Sequence, residues 1–200
     1  VWFTFGHYKF SRFSLGKVIP AAKWKAMTIC TMPILGFTMV FYSIMNLFHL
    51  DFLPKQMMEM SYLGFLPYNI IGSFISAYIF FGAIQEELIR CGKKSWVQLL
   101  TLSIMMLPAC IMSVTPSGDI NVDLTVLSFI TLCYCSWIYS KTRSTIILIV
   151  LYFVSNLVPF HFESKVLGIL LLIAGTALTI GGFAALSRKL PEMLVKDENE

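Results

Sequence analysis

The sequence predicts an all-α bundle of about six membrane-spanning helices, and two observations carry that prediction. Of its 200 residues, 57% are apolar and only 13% are charged, whereas a soluble domain carries about 45–50% and about 25%. So much apolar surface cannot be covered by a water-facing shell, and lipid has to serve as the solvent. The second observation is the placing of Lys and Arg, which crowd into every other connection between apolar runs.

Crossing about 30 Å of hydrocarbon takes about 20 mostly apolar residues in a helix. Six windows meet or approach this: Met27–His49, Asn69–Leu88, Trp96–Val114, Ile120–Tyr139, Thr145–Phe160 and Val166–Ser187. The fifth is short. Pro33 and Pro108 fall inside helices, where neighbouring helices can satisfy the carbonyls a proline frees. The runs follow one another through short connections, without a linker, an internal repeat or a low-complexity tract. One membrane domain over residues 27–187 is therefore expected. Residues 1–26 form a basic-aromatic flank and residues 188–200 a charged tail.

Orientation follows from the basic residues. Lys9, Arg12, Lys17, Lys23 and Lys25 precede the first window, and Arg90, Lys93 and Lys94 follow the second. Lys141 and Arg143 separate the fourth and fifth, and Arg188, Lys189 and Lys196 follow the sixth. Thirteen of the 15 basic residues thus belong to one side, leaving Lys55 and Lys165 to the other. The expected location is a membrane crossed several times, with both termini in the cytoplasm. The net charge of +4 sits in loops rather than in one patch, which suits topology and not nucleic-acid binding.

Four of the five cysteines, Cys30, Cys110, Cys133 and Cys135, lie within apolar runs, and Cys91 lies beside basic residues. This is no secreted disulfide framework. Cys133 and Cys135 read as small buried hydrophobes rather than metal ligands, and no metal or cofactor is expected. The chain opens on Val1, so an upstream piece is missing or the numbering begins inside the protein. Val1–Ala26 has no signal-peptide core or cleavage pattern. Its mixture of Trp2, Phe3, Phe5, Tyr8, Phe10 and Phe13 with Lys9, Arg12 and Lys17 suits a headgroup layer, or equally a flank left from an upstream helix.

Ionisable and amide groups deep in a membrane are costly and mark functional candidates. The main cluster runs Gln85-Glu86-Glu87-Leu88-Ile89-Arg90. Glu86 and Arg90 are four residues apart, share a helix face and can pair, at the cytoplasmic mouth of a polar pocket. Glu87 points about 100° away and is not expected to join that contact. On the fifth window, Tyr152 and Asn156 share a face by the same spacing. An amide in hydrocarbon needs a partner, so Asn156 is expected to face the bundle. A solvated helix end and interhelical glue are the plain readings of these two features.

Their order along the chain resembles a specific family. A Glu/Arg helix is followed by Trp96 opening an apolar helix, then by Tyr139-Ser140-Lys141-Thr142-Arg143-Ser144, then by the Tyr/Asn helix. This looks like the CPBP family of CAAX proteases and bacteriocin-processing enzymes, also called the Abi family. Its pattern is E-E-x-x-x-R, F-x-x-x-H, a Y-x-x-T-G-S-like turn and H-x-x-x-N. The resemblance covers roughly 74–160. It implies a CPBP-like helical core and a membrane endopeptidase. It also implies roles in self-immunity or regulation, with prenylated or bacteriocin-like peptides as substrates. On that reading Glu86, Glu87, Arg90 and Asn156 would be catalytic.

The departures alter that expectation. With Arg90 as the motif arginine, the two acid positions become Gln85 and Glu86. Cys110 stands where the second motif has His, Tyr152 where the last has His, and Arg143 where the turn has Gly. The three histidines, His7, His49 and His161, all lie outside the second to fifth windows. An amide cannot act as a carboxylate base, and neither thiol nor phenol normally titrates near neutrality as imidazole does. The expected function is therefore binding, of a peptide, a lipidated tail or a membrane partner, by a degenerate site. Two alternatives stand beside it. One is an active endopeptidase using Glu86 or Glu87 with Asn156, and the other is a small transporter or transporter subunit.

Overall fold

A computed structural model describes residues 21–48, 62–111, 122–156 and 164–195, and no strand occurs among them. The helices are α1 (Ala21–Leu47), α2 (Tyr62–Ser76), a π-helical segment (Ala77–Gln85) and α3 (Glu86–Arg90). They continue with α4 (Ser95–Ile111), α5 (Val122–Thr142), α6 (Thr145–Ser155) and α7 (Lys165–Val195). Helix α2, the π segment and α3 follow one another without a break, so six rods stand where six apolar windows were expected.

Among the described residues, three stretches are long and apolar enough to cross a membrane: Trp24–Leu47, Leu66–Arg90 and Lys165–Lys189. They mark a membrane protein. The apolar part of α4 and the whole of α6 are shorter. The 11 residues of α6 reach about 16 Å, half the hydrocarbon thickness. Helix α5 is long enough but diluted by Ser128, Thr131, Ser136 and Ser140. Of the six expected spans, three are thus shown by length and composition among the described residues. Helix α1 begins inside the expected flank, and α7 continues through most of the expected tail. The stretch from Trp2 to Lys17, the connections holding Lys55 and Ser117, and all three histidines lie outside the described residues.

Polar side chains in these apolar helices largely satisfy themselves. The hydroxyls of Thr28, Thr31, Thr38 and Ser43 donate to the carbonyls four residues back, and the Asn46 amide donates to Tyr42 O at 2.9 Å. This local back-bonding lets α1 carry hydroxyls without needing water.

Helices α1 and α7 cross antiparallel with their backbones in contact. A Cβ on Gly36 would lie 2.5 Å from the Gly175 carbonyl and the Thr179 nitrogen, and one on Gly182 would lie 2.7 Å from Pro33 Cδ. Small residues at such a crossing are the membrane solution to helix packing, because lipid tails compete equally well for large apolar side chains. Helix α6 packs against α1, α2, the π segment and α5. It buries Ile147, Leu148, Leu151, Tyr152 and Ser155.

Other contacts order the ends. Tyr134 of α5 donates to the Cys30 carbonyl of α1 at 2.6 Å, while Tyr42 and Met45 of α1 cluster with Leu127 of α5. The start of α1, the end of α5, the C-terminal part of α7 and the turn after α3 therefore lie at one end of the bundle. Exposed Lys25, Arg90, Lys93, Lys94, Lys141, Arg143, Arg188 and Lys189 all belong to that end, and exposed Lys165 and Asp123 to the other.

The glycine crossing is directly testable. Gly36→Leu or Gly175→Leu should lower the thermal midpoint in detergent steeply, since overpacking costs about 1–3 kcal/mol and here the obstacle is backbone. Gly181, with nothing within 4 Å of its would-be Cβ, should accept Ala with no loss. Equal effects at Gly36 and Gly181 would refute the close crossing.

Candidate functional site

The π-helical segment organises the inner face of the second rod. Asn69, Ser73, Ala77, Phe81 and Gln85 stand at four-residue intervals, all at most 4% exposed. In an α-helix each step of four overshoots a full turn by about 40°. A π-helix, bonded i→i+5, has a wider turn that a step of four does not complete. The switch at Ala77 therefore reverses the drift and returns Phe81 and Gln85 to the core.

Each polar member of this column finds a partner on another element or beside it. Asn69 Nδ2 donates to the Phe153 carbonyl of α6 at 3.2 Å, and Ser73 Oγ donates to Asn69 Oδ1. Gln85 Nε2 lies within hydrogen-bond reach of Gln98 Oε1, Ser136 O and Ser136 Oγ, at 3.2, 3.0 and 3.0 Å. The Gln98 amide in turn donates to the Lys93 carbonyl at 2.8 Å, tying α4 to the turn that precedes it. Reversing the Gln85 amide would set oxygen against the Ser136 carbonyl, so the acceptors dictate its orientation. Gln85 Oε1 is left buried with no hydrogen-bond partner among the described residues.

One residue further on, Glu86 leaves the core and meets three groups. Arg143 donates to Oε2 at 2.8 Å and the Tyr139 hydroxyl donates to the same oxygen at 3.0 Å. Arg90 Nε lies 3.4 Å from Oε1. The expected Glu86–Arg90 pair is present, but the shorter contact is to Arg143, which sequence spacing alone does not connect to Glu86. Glu87 does join, since Arg90 NH1 approaches its Oε2 at 4.0 Å. The flexible guanidinium reaches both i−3 and i−4 neighbours, which corrects the expectation that Glu87 stays apart. The side chains of Glu86 and Arg143 are 22% and 45% exposed, so this is a half-wet clamp and not a buried ion pair.

Two turns shape the clamp. After α3, Gly92 takes φ +67° while the Gly92 and Lys93 amides bond back to Ile89 and Leu88, a left-handed helix cap that favours glycine. After α5, Arg143 takes φ 49°, uncommon for a residue with a side chain. Its amide caps Tyr139 O at 2.8 Å while its guanidinium holds Glu86.

The remaining candidates are not gathered here. Tyr152 is buried with its ring 5.9 Å from Phe81, which also stacks obliquely near Tyr139 at 6.2 Å. Asn156 is exposed at the end of α6. This corrects the expectation that it faces the bundle: the helix ends at Ser155 with Asn156 as its cap, and Asn69 is an amide that bonds across to α6. Helix α6 starts two residues after Arg143, so Asn156 lies about 16 Å along its axis from the clamp. Cys110 lies twelve residues past Gln98, about 18 Å along α4; its side chain is outside the described residues. Cys133 and Cys135, two apart on α5, point to different faces, and no group of three His, Cys, Asp or Glu able to hold a metal occurs among the described residues.

Sequence reading missed Tyr139 and Arg143 as partners of Glu86, and Gln98 and Ser136 as partners of Gln85. Asn69, an amide in an apolar window, carried the signal that was given to Asn156.

Glu86→Ala should lower thermal stability more than Glu87→Ala, because it strands Tyr139 and Arg143 together. A double-mutant cycle of Glu86→Gln with Arg143→Gln should return a coupling of up to about 1 kcal/mol, the value for a half-exposed pair. Gln85→Leu should cost about 1–3 kcal/mol by leaving buried Ser136 and Gln98 groups unpaired. Zero coupling in the cycle would remove the clamp.

Comparison of the chain with protein-family models, with curated proteins and with solved structures finds no match.

Proposed function

We propose that the chain is a multi-pass membrane protein with six membrane helices, both termini cytoplasmic, and a CPBP-like core whose site no longer catalyses. In this reading it acts by binding a peptide, a lipidated tail or a membrane partner in a bacterial cytoplasmic membrane. The single observation that carries the non-catalytic part is the dispersal of the motif positions. Glu86 sits at one end of the bundle, Asn156 at the far end of α6 and Cys110 near the far end of α4. General acid–base catalysis needs its groups within about 3 Å of the reacting atoms or one water away, and Asn156 and Cys110 each stand about 16–18 Å along their helices from the end that holds Glu86.

Glu86 itself is poorly suited to be a base. One oxygen already accepts from Arg143 and Tyr139 and the other faces Arg90. Taking a proton would disrupt those contacts. The clamp does what a structural fastener does: it joins α3 to the α5–α6 turn. Arg143 holds a left-handed backbone where the resembled motif has glycine, and this supports the likeness of the turn. The topology draws support from the collection of exposed basic residues at one end, the arrangement that the positive-inside rule associates with the cytoplasm.

Two experiments test this. Purified protein in lipid, offered prenylated and unprenylated peptide libraries, should release no specific product by mass spectrometry. Cleavage abolished by Glu86→Gln would establish the endopeptidase instead. Cysteine labelling from outside the cell should reach a probe at Ser117 and miss one at Lys94. The opposite pattern would reverse the topology.

A further inference from the structure

We infer that the basic end of the bundle carries a tryptophan–lysine collar that binds the phosphate headgroups of anionic phospholipids. The inference rests on the reading that this end lies at a membrane surface, and it names the ligand that surface takes. Three separate helices each present an exposed tryptophan next to an exposed lysine. Trp24 adjoins Lys25 on α1, Trp96 follows Lys93 and Lys94 at the start of α4, and Trp137 shares a face with Lys141 on α5. The tryptophans are 57%, 64% and 42% exposed, far more than bulky indoles show inside a bundle.

Hydrogen bonds set the three pairs at similar depth. Gln85 bonds both Gln98 and Ser136, which are two residues from Trp96 and one from Trp137. Tyr134 bonds Cys30 across antiparallel α1 and α5, so moving outward from that contact brings Lys25 to within about 3 Å of the depth of Lys141. Among the described residues, the lysines at this end are also free of ion pairs. The acids at this end whose ion pairs are seen, Glu86 and Glu87, are engaged by Arg143 and Arg90. Lys25, Lys93, Lys94 and Lys141 have no ion pair among the described residues.

An indole buries its ring at the acyl boundary and turns its N–H to the headgroups, while lysine meets the phosphate above it. A zwitterionic headgroup cancels the phosphate charge with its own cation; an anionic one does not. Each lysine near an anionic surface is worth about 1 kcal/mol, or about fivefold in association. The indoles favour any bilayer interface, so they set depth and the lysines set lipid preference. The opposite end, with Lys165 beside neither tryptophan nor a second lysine, lacks this combination.

The test uses the full chain, in a Trp2→Phe background, reconstituted in vesicles of phosphatidylcholine with increasing brominated phosphatidylglycerol. Quenching of tryptophan emission reports which lipid stands at the collar. The expected result is a several-fold preference for phosphatidylglycerol over brominated phosphatidylcholine. Because each lysine is worth about fivefold, the preference should be largely abolished in Lys93→Gln/Lys94→Gln and stay absent when Lys25→Gln and Lys141→Gln are added. The four Lys→Arg replacements should keep it. If the fourfold Gln variant loses helicity, the double variant, confined to an exposed turn, decides alone. An undiminished preference in the double variant overturns the inference, as does an equal loss in Lys165→Gln. Displacement by millimolar inorganic phosphate also overturns it, in favour of a soluble anion. No lipid preference, with Lys94 shielded from outside labelling and no peptide cleaved, defeats the collar and leaves the proposed function standing. Cleaved peptide with the preference intact does the reverse.

Discussion

The inner face of the second rod constrains most of the arrangement. Asn69, Ser73, Ala77, Phe81 and Gln85 must stay turned inward across four successive steps of four residues. Neither a pure α-helix nor a pure π-helix keeps such a column on one face, because the two drift in opposite senses. Joining them at Ala77 cancels the drift. Everything central then keys onto the column: α6 through Phe153 and Tyr152, α5 through Ser136 and Tyr139, and α4 through Gln98. A π-helical stretch is rare and tends to mark functional sites. Here its evident work is to bring a buried amide and the next residue's carboxylate to the same end of the bundle.

That end combines two kinds of polar contact with different energetic characters. The Gln85–Gln98–Ser136 group is buried, so each unpaired atom would cost the full loss of its hydration. The Glu86–Arg143–Arg90 clamp is half in water, where screening leaves an ion pair little net weight. The first group specifies how α4 and α5 pack; the second fastens a turn whose backbone is left-handed at Arg143. Neither leaves a carboxylate free beside a second titrating group, which is the usual preparation for proton transfer.

The α1–α7 crossing supplies the other half of the fold. Glycine against glycine and glycine against proline bring the two backbones together where no side chain fits. Close packing of this kind gains dispersion contacts that lipid cannot match. It leaves the outward faces of α7, with Leu170, Ile173 and Ile180, exposed, as a lipid-facing helix requires.

The sequence by itself determined the helical, membrane-protein class of the molecule, the order of the apolar helices among the described residues, and the gathering of their basic residues toward one end. Those properties follow from local composition: apolar length decides where a helix can lie in hydrocarbon, and Lys and Arg mark where chain emerges from it. It also picked out Glu86 with Arg90, because four-residue spacing is a contact within one helix. Only the tertiary structure decided the rest. That Glu86 meets Tyr139 and Arg143, more than fifty residues away, depends on how α3 and α5 are brought together. That Asn69 bonds across to α6 while Asn156 lies exposed depends on α6 stopping at Ser155. The switch to π geometry at Ala77 left no local signature, since its cause is the need to hold Phe81 and Gln85 against helices that no spacing rule could put beside them.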